Sequence, residues 1–160
     1  ILSDILIGRE KMQLIRITLL FMLFGFVFSS HLYAKSEINT GFFSNAAIEK
    51  YDAVAYFTLK KPVKGNDQYK TSYKEASWYF MNKENLDLFI ANPEKYAPKY
   101  GGYCAWAVAQ GDTANGNPKN WTVYKNKLYL NYNDSIQNKW LKKIDEFIIK
   151  ADKKWPGVIQ

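Results

Sequence analysis

Residues 69–104 read YKTSYKEASWYFMNKENLDLFIANPEKYAPKYGGYC. The opening part, YKTSYKEASWYFMN, has the composition of two short strands around a turn at Lys74-Glu75, with Trp78 and Phe80 on one face by the two-residue period of a strand. Asn82 then stands where a helix N-cap is wanted. Leu86, Phe89 and Ile90 recur at helical spacing until Pro93, which cannot continue a helix. The pair Gly101-Gly102 breaks the chain just before Cys104, its single cysteine. Strand, turn, strand and helix in close succession predict an α+β fold in which a small antiparallel sheet carries packed helices.

Working outward, CAWAVAQG (104–111) is small and apolar, and its pattern leaves a buried strand and a helical turn open. GDTANGNPKN (111–120) is a loop by composition. WTVYKNKLYLNY (121–132) alternates on both sides of Lys125-Asn126 and predicts a hairpin. Beyond it, Asp134 is placed to cap one helix whose apolar stripe runs through Ile136, Trp140, Leu141, Ile144, Phe147, Ile148 and Ala151 and ends at Pro156. Upstream, YDAVAYFTLKKPVKG (51–65) suggests an extended or turn-like entry. Residues 35–50 are polar enough to read as a linker with a short helix near 45–50. No internal repeat is visible in the sequence.

The first 34 residues are of a different kind. From Met12 the chain runs through Arg16 and an apolar stretch, Ile17 to Phe28, to Leu32-Tyr33-Ala34. That is the order of a cleaved secretory signal, and the apolar run falls short of the roughly twenty residues that span a bilayer. The expectation is a start at Met12, cleavage after Ala34, a 35–50 linker and a domain over 51–160. Export to the periplasm or outside follows, with membrane contact only through the signal before its removal. The single histidine, His31, would leave with the signal.

The chain carries 22 Lys+Arg against 15 Asp+Glu, a net charge of +7, with no arginine after Arg16. Base readout and bidentate phosphate binding lean on arginine, so nucleic acid is not an expected partner. One cysteine forms no internal disulfide, and the domain, expected as a monomer, must stand on an aromatic-rich core. Without histidine after processing, Cys–His and Ser–His–Asp catalysis are ruled out. Cys104, Met81 and scattered acids such as Asp52, Glu84 and Asp87 do not make a usual zinc or copper site, so no metal and no cofactor is expected. Flanked by Ala, Trp and Val, Cys104 is expected to pack in an apolar site, where a serine would cost more than an alanine.

The string YDAVAYF, KPVKG and SWYFMNKENLDLFIANPEKYAPKYGGYCAW resembles the YHS-domain proteins, in particular their small exported branch, from about Tyr51 to Trp155. The better-known YHS domains carry Cys and His and are taken to bind metal. Here Asp52-Ala53-Val54-Ala55 and Phe80-Met81-Asn82-Lys83-Glu84-Asn85 put Ala55, Met81 and Asn85 where thiols would be. The resemblance therefore implies the fold without the thiolate site. The expected function is a non-catalytic binding or accessory module of the cell envelope, taking an unknown small ligand, a metal ion or an envelope protein. The candidate ligand pocket is Asp52, Tyr56, Tyr103, Cys104 and Trp106, with Gly101-Gly102 allowing close approach of the ligand. The alternative is a thiol-redox or carboxylate-based enzyme of the envelope.

Overall fold

The chain is seen in a computed structural model that describes residues 35–41 and 43–160. The signal-peptide reading and His31 lie outside the described residues. Strands β1 (Asn66–Tyr73) and β2 (Ala76–Phe80) pair antiparallel. Lys74 and Glu75 between them both have positive φ (49° and 61°), the left-handed turn whose twist matches that of the strands. Ala76, Trp78 and Phe80 point into the core from β2. Asn82 accepts a hydrogen bond from the Asn85 backbone N–H and starts α2 (Lys83–Ala91). Asn92 repeats the device for α3 (Pro93–Tyr96), a helix that the stop at Pro93 had hidden.

The same unit then occurs again. Strands β3 (Asn117–Tyr124) and β4 (Lys127–Asn131) pair with a register displaced by 51 residues from the first: Thr71↔Trp78 is matched by Thr122↔Tyr129, and Asn66↔Phe80 by Asn117↔Asn131. Both hairpins carry an irregularity at the same place, between Asn66 and Lys70 and between Asn117 and Trp121. Both use a positive-φ pair at the turn, Lys125-Asn126 in the second. Asn133 caps the next helix through Ile136 N–H, as Asn82 does. The two hairpins form separate two-stranded sheets. Six α-helices and two small antiparallel sheets among the described residues make the fold α+β, as the sequence predicts.

Several local expectations change. The entry segment contains a short helix, α1 (Ala55–Thr58), and CAWAVAQG resolves to a helix, α4 (Ala105–Gln110), closed by Gly111 at φ 92°. The C-terminal stripe is two helices, α5 (Asp134–Leu141) and α6 (Ile144–Lys154), because Lys143 leaves the helical region at φ −144°. The cap is Asn133, not Asp134, and Leu141 is exposed. Residues 35–50 do not behave as a linker. Ile38, Ala46, Ala47 and Ile48 are buried, Ala46 bridges Ser77, and Lys35 N–H donates to Ile159 O at 2.8 Å. One core gathers Val54, Tyr56, Trp78, Phe80 and Phe89; a second gathers Tyr100, Val108, Tyr129, Trp140 and Ala151.

Candidate functional site

Asp52 is wholly buried, and its carboxylate is saturated. Oδ1 accepts from Val54 N–H (2.8 Å) and Ala55 N–H (3.2 Å), which cap the start of α1. Oδ2 accepts from Met81 N–H (2.9 Å) at the end of β2 and from Asn85 Nδ2 (2.7 Å) on α2. Four donors use the four lone-pair directions of a carboxylate. Asp52 thus binds three elements together and keeps no free acceptor for a substrate proton or a cation.

Cys104 takes the equivalent position in the second unit. It stands just before α4, as Asp52 stands ahead of α1 with the N–H groups two and three residues on turned toward its side chain, and Sγ donates to Asn131 Oδ1 at 3.7 Å. Burial pushes the thiol above its ordinary range, opposed by the backbone N–H groups of Ala107, Tyr132 and Trp106. Those three groups correspond to the Ala55, Met81 and Val54 N–H groups around Asp52. The thiol is packed, as expected, but its site is polar: Asn131 Oδ1 also accepts from Trp106 N–H at 3.3 Å. Asn131 Nδ2 is buried with no hydrogen-bond partner among the described residues.

The other residues of the expected pocket are also held by the fold. Tyr56 OH donates to Pro118 O at 2.8 Å, its ring meets Trp121, and burial raises its phenol far above the ordinary value. Tyr103 OH donates to Ser36 O at 2.9 Å. Trp106 packs half-buried against the second core. Tyr56 lies in the first core and Tyr103 and Trp106 with the second, and none of the five expected residues lines the clefts described below. What approaches Gly101 is the chain itself: a Cβ there would lie 1.8 Å from Glu37 O.

The open clefts lie elsewhere. One of about 240 Å³ is lined by Glu37, Lys74, Glu94, Lys99, Tyr100 and Lys127, among others. Two of its lysines are already matched, Lys74 by Glu37 and Lys99 by Asp152. A groove of about 630 Å³ lies among Glu49, Asn115, Asn117, Lys119, Tyr132 and Asn133. Its Glu49 wall is unusual. Ile48, Glu49 and Lys50 all have positive φ (48°, 49° and 64°), which for L-residues costs roughly 1–2 kcal/mol each. In the second unit the like turn is Tyr100-Gly101-Gly102, where glycines relieve that cost (φ 56°, 61° and 86°). The strained turn is held by Lys64 Nζ donating to Glu49 O (2.6 Å) and Gly65 N–H to Lys50 O (2.9 Å). Of this groove the sequence carried one signal, the tyrosine between two asparagines at 131–133. Positive φ at Ile, Glu and Lys has no sequence signature.

The first unit coincides with a known domain. The YHS domain family model matches residues 54–100, and the chain is a YHS domain-containing protein. No curated protein and no solved structure matches it. The family's implied metal does not fit the residues at its place. Ala55, Met81 and Asn85, which stand where thiols would be, all turn nitrogen donors onto Asp52, and N–H donors repel a cation. Among the described residues no group of three or more Cys, His, Asp or Glu is placed to hold a metal ion.

Proposed function

We propose that this chain is an exported, non-catalytic YHS-type binding module of the cell envelope, periplasmic or secreted, that holds a small polar ligand in the groove beside Glu49. The observation that carries the reading is the contrast between Asp52 and Glu49. The acid inside the domain has every lone pair taken, while Glu49 stands on a strained turn at an open groove. Strain of this kind persists where the surroundings over-determine it, and it clusters at ligand sites. Against a thiol-redox enzyme stands Cys104, 1% exposed and raised in pKa where a reactive thiol needs exposure and a lowered one. Export rests on the order of basic, apolar and small residues before Lys35.

Native mass spectrometry of protein purified from its host, combined with N-terminal sequencing, tests the reading. The expected result is a chain starting at or near Lys35 that retains a small organic molecule. A start at Met12 in the membrane fraction contradicts export. Rapid labelling of Cys104 in the native state would favour the thiol enzyme instead.

A further inference from the structure

The groove beside Glu49 is walled by amides and an aromatic ring. Glu49, Asn115 and Gly116 line both its mouth and a narrower recess of about 40 Å³ that reaches Asn39 and Thr40. At the mouth, Tyr132 follows β4 with 55% of its surface exposed. Asn117 and Asn133 flank it with their amide planes already fixed. Asn117 Oδ1 accepts from Lys119 N–H and Asn133 Oδ1 from Ile136 N–H, each at 2.9 Å. Each Nδ2 is thereby oriented, and neither donates to another described residue. Glu49 supplies a carboxylate without an ion-pair partner among the described residues, and Lys119 an ammonium.

The chemistry of this lining selects a ligand. One carboxylate and one ammonium cancel, so nothing favours a strongly anionic ligand such as a phosphate, which wants clustered cations or arginine. An apolar ligand would strip water from the amides and leave them unpaired. A ligand that offers hydroxyls to planar amides and a carboxylate, and a C–H face to an aromatic ring, satisfies every group present. We infer that this groove binds a neutral saccharide, with one sugar ring on Tyr132 and its hydroxyls held by Asn117, Asn133 and Glu49. The inference rests on the reading of the groove as the binding site. At about 630 Å³ the groove is longer than one sugar ring needs, so a di- or trisaccharide is favoured over a monosaccharide.

The test is titration of the ¹⁵N-labelled chain with cellotriose and with chitotriose, followed by NMR, with phosphate and citrate as charged counterparts. Saturable shifts confined to residues 49, 115–119 and 132–133 are expected from a trisaccharide. Tyr132→Phe, which keeps the ring, is expected to weaken binding far less than loss of the ring does. Tyr132→Ala is expected to weaken binding about tenfold or more. The exposed position of Tyr132 lets both variants fold, and their spectra verify it. If neither trisaccharide moves these residues, or Tyr132→Ala binds unchanged, the saccharide assignment is overturned. Shifts there from phosphate or citrate alone would leave the groove a binding site of other chemistry. Saccharide shifts confined to distant residues would overturn both readings.

Discussion

Asp52 and Cys104 occupy equivalent places in the two units, and their side chains do equivalent work with different chemistry. Around each stand two backbone N–H groups of a short helix and one from the end of a strand. Removing the carboxylate strands four donors in the interior, so Asp52→Ala is expected to cost at least about 3 kcal/mol in urea unfolding. A loss below about 1 kcal/mol would mean that the carboxylate holds nothing. At Cys104 the polar surroundings reverse the expectation drawn from its apolar sequence neighbours. A serine hydroxyl can donate to Asn131 Oδ1 and face the same N–H groups, whereas alanine leaves Asn131 Oδ1 with one partner fewer. Cys104→Ser is therefore expected to be the milder change and Cys104→Ala the costlier, by about 1 kcal/mol. Melting temperatures of the two variants check the order. A thiol reagent should label the native thiol far more slowly than the denatured one.

At the scale of elements, the hairpins and helix caps were legible because turn residues and strand alternation are local. Lys74-Glu75, Lys125-Asn126 and the Asn82 cap all stand where the sequence places them. The duplication was not legible. Across 66–82 and 117–133 only Asn66/Asn117, Thr71/Thr122, Tyr73/Tyr124, Lys74/Lys125 and Asn82/Asn133 coincide, and these are mainly bulge, turn and cap positions. Core positions diverge because each half fills a different core: Trp78 is matched by Tyr129 and Phe80 by Asn131. The expected pocket residues are held inside the fold for a related reason. Aromatic and thiol side chains near glycines suggest a pocket, yet here they are core, while the groove is made of asparagines that composition assigns to loops. Glu49→Gly relieves a left-handed residue and is expected to raise stability by up to about 1 kcal/mol, net of the greater freedom of glycine in the unfolded chain. It should also abolish the acceptor at the groove. A fall in stability on urea unfolding would show that the turn is not strained.

Across the whole domain, stability depends on keeping protons that the unfolded chain gives up. Burial raises the phenols of Tyr56, Tyr100 and Tyr129, the last to about 12, and raises the Cys104 thiol. Above about pH 9–10 the unfolded chain releases these protons while the folded chain retains them, so stability falls as pH rises. The fully buried Tyr56 loses a contribution of about 1.4 kcal/mol in all between pH 8 and 11, most of it above pH 10, and Tyr56→Phe should make the alkaline decline smaller by that amount. An equally steep decline in the variant, followed by urea unfolding from pH 8 to 11, would show that Tyr56 ionises freely in the fold.

Asp52 and its four donors hold the first unit where the family's thiolates would stand, which leaves no place there for a metal ion. Loading the folded chain with zinc and with Cu(I), then desalting and measuring metal content and melting temperature, tests this most directly. Far less than one metal ion retained per chain is expected, with no change in melting temperature, with or without a chelator. Retention of one ion per chain with a raised melting temperature, abolished by Asp52→Asn, would contradict it.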